Sequence, residues 1–126
     1  MIHETIYKKL VKRLPELADN RPKTRKLKAA GFMDLNVDAL CREDADRFVI
    51  ALSHYYRHDC GDMIADPDME IAVMPRQEIA EALIYQDCYG YRRVYPEPGK
   101  IDLRAKKDLN SFLNTWLSNL LAQGHQ

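Results

Sequence analysis

The stretch that most constrains this fold runs over residues 102–123. Leu109, Phe112, Leu113, Trp116, Leu117, Leu120 and Leu121 recur at three- and four-residue steps, which sets them along one stripe of an α-helix. Asp102 stands where a carboxylate can accept the orphan N–H groups of a first turn, and Gly124 stands where a left-handed stop costs least. A stripe of this many large apolar side chains needs a broad surface to cover. The rest of the chain reads as that surface.

A first helix is predicted from Ile6, Leu10 and Leu14, with Tyr7 and Val11 beside them; Lys8, Lys9, Lys12 and Arg13 lie on its exposed face. Pro15 should end it near Leu14. Residues 20–28 read as a turn and a polar, basic connector, expected to be mobile. Met33, Leu35, Val37, Ala39 and Cys41 alternate with mostly polar neighbours, the period of a half-buried strand. After a turn at 43–46, residues 48–56 form the longest strand candidate, apolar on both faces at its start and so expected at the centre of the sheet. Residues 58–67 read as a loop rich in Asp and Gly. Met69, Ile71 and Val73 mark a third strand that stops at Pro75. Residues 79–85 suit a fourth strand, although their Glu and Ala also suit a helix, and 91–95 add a short fifth. The expectation is one α+β domain over residues 1–126: an antiparallel meander of four to five strands, an N-terminal helix, and a long amphipathic C-terminal helix packed on the sheet.

At 126 residues and 46% apolar content the chain has the profile of one ordinary globular domain. No apolar run reaches the length of a membrane span, and charged residues from Glu4 to Lys12 break any leader-like stretch, so no membrane association is expected. Cys41, Cys60 and Cys88 are an odd, unpaired set that suits free thiols in a reducing cytoplasm. The net charge of zero is a balance. Residues 1–28 carry nine Lys/Arg against three Asp/Glu, residues 29–70 three against ten, and the remainder seven against six. The two charged segments are expected to neutralise each other within the fold or a homodimer.

Several segments resemble a known family. Residues 6–17 (Ile-Tyr-Lys-Lys-Leu-Val-Lys-Arg-Leu-Pro-Glu-Leu) are similar to the start of the YqiB-like family of bacterial proteins (domain of unknown function 1249). Residues 69–73 with 80–82 look like its central hairpin, and 91–98 like its Tyr-Pro segment. Residues 109–117 and Gly124-His125 look like its ending. Residues 20–28 and the loop around Gly61 match it poorly. The resemblance implies a small cytoplasmic bacterial domain with no assigned activity. It also implies a setting among plasmids and integrated elements, beside functions that counter host defences.

The chemistry-bearing residues form no complete constellation. His54, His58, Cys60 and Cys88 lack the two close ligand pairs of structural zinc. Asp59, Asp62, Asp66, Asp68 and Glu70 offer oxygen ligands for Mg²⁺ or Ca²⁺, but no calcium-loop or nuclease pattern is complete, and a solvated loop with Asp-Pro turn chemistry is expected. Ser53 beside His54, and Cys60 near His58, lack a third partner. Tyr55, Tyr56, Tyr85, Tyr89, Tyr91 and Tyr95, with Arg57, Arg92 and Arg93, are residue types that stack bases and that protein interfaces also enrich. The acidic middle segment favours a protein. Asn110 and Asn114 are expected to hydrogen-bond to the sheet backbone.

The reading is a non-enzymatic interaction or regulatory protein without cofactor. It would bind another protein through Tyr85, Tyr91, Arg92, Arg93 and Tyr95. The alternative is a nucleic-acid accessory protein using Lys8, Lys12, Arg13, Lys23, Arg25 and Lys26. A third is a metal-dependent enzyme built on residues 59–70.

Overall fold

The alternating middle of the chain folds as strands because a period of two sets one row of apolar side chains on one side of a pleated ribbon. The computed structural model describes residues 1–57, 63–87 and 89–126, with backbone alone for 55–57 and 63–66. The order is α1 (Ile2–Arg13), a 3-10 turn (Pro15–Leu17), β1 (Arg25–Leu27), β2 (Leu35–Asp44), β3 (Arg47–Arg57), β4 (Met63–Met74), β5 (Ile79–Gln86), β6 (Tyr91–Arg93) and α2 (Leu103–Gln123). The strands lie side by side in chain order, each antiparallel to the next. This is the expected α+β meander between two helices, with six strands in place of four or five.

Register assigns the faces. Phe48, Val73 and Ala80 stand in one row across β3, β4 and β5; Ile50, Ile71 and Ala82 stand in the next. Leu52 lies between Val37 and Met69 in a third. All are buried and form one cluster with the apolar stripes of both helices. β5 contributes only the small side chains Ala80 and Ala82 to these rows, and α1 and α2 meet each other and β5 there. Asn110 of α2 reaches into this contact. β6 pairs only with Ile84–Gln86, and beyond its end the Ala82 N–H donates to Asn110 Oδ1 at 2.9 Å.

α2 forms as its sequence directs. Asp102 Oδ1 accepts from the Ala105 N–H at 2.9 Å. Gly124 closes the helix at φ 83°, a conformation that strains any residue with a Cβ. Ala105, Leu109, Leu113, Trp116, Leu117 and Leu120 are buried, but Phe112 is 40% exposed at the edge of the stripe. α1 ends at Arg13, and Leu14 and Leu17 around the Pro15 turn are both buried.

Two segments differ from expectation. Residues 20–28 contain a strand: Arg25–Leu27 pairs with β2, and Leu27 is buried. A three-residue strand with one apolar side chain leaves no alternation to read. Residues 63–67, expected as loop, begin β4. Pro67 is tolerated there because it sits at an irregularity. β3–β4 pairing steps from Ser53 opposite Asp68 to Tyr55 opposite Ala65, and β5 ends opposite Asp68. No ladder bond needs the N–H that proline lacks. The segment 79–86 is a strand, not a helix.

Replacing Trp116 with Ala should destabilise the fold by about 3–5 kcal/mol, the range for deleting a buried large aromatic ring. Urea unfolding followed by circular dichroism measures it. A loss below about 1 kcal/mol would contradict the burial of the ring.

Candidate functional site

The expected partner-binding residues sit on β5, β6 and the segment just after them. The corner between the two strands is fixed by Asp87. Its carboxylate accepts from the Tyr85 hydroxyl at 2.8 Å and from the N–H groups of Tyr89 and Gly90 at 2.8 and 2.9 Å. Those bonds, the tyrosine's foremost, hold its carboxyl below the usual range.

Cross-strand partners share a face, so register divides the set. Tyr85 is opposite Arg92 on the side of the helices, while Ile84 with Arg93, and Gln86 with Tyr91, face the other way. On the helix side the Tyr85 ring meets Phe112 edge-on, with centroids 5.2 Å apart, and Phe112 leans on Trp116 at 6.0 Å. Arg92 pairs with Asp108 of α2 at 3.2 Å. Tyr85, Arg92, Asp108, Leu109 and Phe112 line a shallow cleft. Sequence reasoning missed Phe112 and Asp108 as members. The one signal was that Phe112 stands at the margin of the helical stripe.

β6 is the last strand of the sheet, so among the described residues one of its sides has no strand partner. The Val94 N–H donates to the Leu83 carbonyl at 2.9 Å, and the Asp87 N–H to the Gly90 carbonyl at 3.0 Å. Backbone groups alternate in direction along a strand, so in this register those of Tyr91 and Arg93 point off the sheet. The Asp102 N–H donates to the Val94 carbonyl at 2.8 Å, which brings Ile101 and Leu103 to the end of β6. Tyr89, Tyr91, Ile101, Leu103 and Phe112 are all large apolar side chains left exposed around this edge.

Tyr95 has a different role. Its hydroxyl donates to Glu81 Oε2 at 3.0 Å, and Glu81 also faces Arg47 at 3.6 Å and Lys106 at 3.9 Å. Arg47 pairs further with Glu43. Burial, then the Glu81 charge, pushes the Tyr95 hydroxyl above its ordinary value of 10.0. Burial does the same to Tyr7. Above pH 10 the unfolded chain gives up these protons and the folded chain keeps them, so stability should fall as pH rises past 10. Denaturant titrations at pH 8 and 10.5 should show this fall, and Tyr95→Phe should show less of it.

The basic candidates are divided between α1 and the segment around β1, which meet where Arg25 Nη1 donates to the Arg13 carbonyl at 3.4 Å. Lys8 and Lys12 are exposed on α1, and Lys23 precedes β1. Arg25 is held by Glu16 at 3.0 Å, and Lys26 takes the opposite face of β1. Arg13 Nε is buried with no hydrogen-bond partner. Lys9 clamps the two helices, donating to Asn114 Oδ1 and Ser118 Oγ at 2.7 Å each. Asn110 thus meets the sheet backbone as expected, whereas Asn114 is taken by Lys9.

His54 is a core histidine. Its Nε2 accepts the Trp116 indole N–H at 3.3 Å; because that donor has no acceptor role, Nδ1 carries the proton and donates it to the Asp34 carbonyl at 2.9 Å. Both ring nitrogens are occupied, which leaves none for zinc. His58, Asp59, Cys60, Gly61, Asp62 and Cys88 lie outside the described residues, as do the side chains of Tyr55, Tyr56, Arg57 and Asp66. Among the described residues no group of three or more His, Cys, Asp or Glu side chains stands close enough to hold a metal ion. Asp68 and Glu70 lie on β4, opposite Ser53 and Ala51, facing away from the helices. No helix among the described residues is long and apolar enough to cross a membrane.

A family model described as Domain of unknown function (DUF6908) matches residues 5–126. This overturns the resemblance to the YqiB-like family: a single other model accounts for nearly the whole chain, including residues 20–28 that the resemblance left unmatched. No curated protein and no solved structure matches the chain.

Proposed function

The chain belongs to the DUF6908 family, whose description names no activity, and we propose from its geometry that it is a non-enzymatic interaction module that receives an extended, acidic segment of another protein along β6. The observation that carries this reading is the open edge of β6 beside an aromatic cleft. Backbone groups of Tyr91 and Arg93 point outward, and Tyr85, Phe112 and Arg92 line a shallow cleft beside them on the helix side. An added strand would gain affinity from main-chain bonds and selectivity from side chains that enter the cleft. Exposed aromatic and aliphatic residues around the edge suit a contact surface. Residues 91–108 carry six Lys/Arg against three Asp/Glu, which favours an acidic partner. The free, exposed thiol of Cys41 suits work in a reducing cytoplasm. The setting in mobile elements and against host defences came with the YqiB-like resemblance, and nothing in the fold adds to it.

A random peptide library selected against the purified protein tests the reading. Selected peptides should be extended, with acidic and apolar residues alternating. Arg93→Pro removes one outward N–H and should weaken binding about tenfold or more, the worth of a hydrogen bond lost with its register. Phe112→Ala should raise the off-rate. Binding unaffected by both changes would overturn the proposal. Duplex or single-stranded DNA bound more tightly than about micromolar near physiological salt, with affinity falling steeply as salt rises, would favour the nucleic-acid reading instead.

A further inference from the structure

The face of the sheet turned away from the helices holds a polar trough that the interaction reading does not use. Two small residues of β3, Ala51 and Ser53, form its floor. Ala51 lies between Asp38 of β2 and Glu70 of β4; Ser53 lies between Asn36 and Asp68. The walls are two strand spacings apart, about 9.5–10 Å, and the β3 side chains between them are a methyl and a hydroxymethyl group. Asn36, Asp38, Asp68 and Glu70 are all partly exposed, and among the described residues the three acids form no ion pair.

Ser53 is 1% exposed, and its Oγ has no hydrogen-bond partner. A buried hydroxyl without a partner carries a desolvation cost that natural structures seldom leave uncompensated. It stands on the same face as the four polar walls, directly beside Asn36 and Asp68. We propose that this trough binds one hydrated divalent cation of the Mg²⁺ class, with Asp38 and Asp68 as charged ligands and Ser53 Oγ and Asn36 Oδ1 as neutral oxygens. The donor set is oxygen only, which suits a hard cation. One or two carboxylates with retained waters is how Mg²⁺ is commonly held. The electrostatics agree: burial, and then the Asp38 charge, raises the Asp68 carboxyl above its ordinary value. A cation between the two would relieve that conflict. Such an ion would tie β2, β3 and β4 together on the face that no helix covers.

The test uses the full chain freed of metal by chelation, with MgCl₂ or CaCl₂ added alone. Isothermal titration should show one ion per chain, with a dissociation constant of about 10⁻⁵–10⁻³ M, and the melting temperature should rise with added Mg²⁺. Asp38→Asn and Asp68→Asn should abolish both effects, Ser53→Ala should weaken binding several-fold, and Asp19→Asn should change nothing. In chelator, Asp68→Asn should melt higher than the parent, because it removes a charge that burial and Asp38 oppose. Absence of binding by the parent up to about 10 mM of either ion, well above the weakest expected constant, would overturn the proposal. So would binding that survives both Asp→Asn changes. A lower melting temperature for Asp68→Asn in chelator would also count against it, since that result would make Asp68 a structural hydrogen-bonding residue.

Discussion

The fold depends on α2 covering one face of a sheet that cannot cover itself. The central strands of the meander present alternate apolar residues, and without the helix the rows through Phe48, Ile50 and Leu52 would lie open to water. The helix is seated by polar contacts as well as apolar ones. Asn110 takes a backbone N–H of β5 where β6 has stopped, Lys9 ties α2 to α1, and Trp116 donates to His54. Each of these bonds has a direction, so together they set the angle and register of the helix in a way that apolar burial alone does not.

The same seating shapes the candidate interface. Because the helix crosses β5 over Ala80 and Ala82, its next exposed turn brings Phe112 against Tyr85, and Asp108 to Arg92. The cleft is therefore a by-product of close helix–sheet packing made possible by two alanines. β6 is only three residues long, and its brevity limits how much unpaired edge the sheet exposes.

Helical stripes, a capping Asp, a stopping Gly and a strand that alternates for nine residues are local signals, and α1, α2, β2, β3 and β5 were legible from them. β1 was not, since Leu27 is its one buried side chain and the strand exists by pairing with β2. Nor was the start of β4 legible, where Asp66 and Pro67 argue for a loop and only the bulge against β3 admits a strand. The candidate site was half legible. Tyr85, Tyr91, Arg92 and Arg93 are neighbours as expected, but their division between two faces follows from pairing register, which composition does not encode. Tyr95 belongs to the Glu81 network instead. Asp68 and Glu70 stood out as oxygen ligands, but grouped with residues 59–66; their place beside Asp38 and Ser53 follows from register, since Asp38, Ser53 and Asp68 are spaced fifteen residues apart along the chain and three strands bring them together. An expectation of no cofactor built on ligand spacing along the chain does not test such a place.

The position of α1 has a consequence for how the chain assembles. It precedes every strand, yet it packs against β5 and α2, which follow nearly all of them. The hairpins between β2 and β5 can zip from local turns as soon as they are made, since each strand pairs with its immediate successor. The first helix has no such local partner. On a ribosome it would wait with Ile6, Tyr7 and Leu10 unsheltered until β5, and then the last helix, had been made. During synthesis the first helix therefore keeps an unpaired apolar stripe until the elements it packs against have been made. Its run of Lys8, Lys9, Lys12 and Arg13 sets mutually repelling charges beside that apolar stripe.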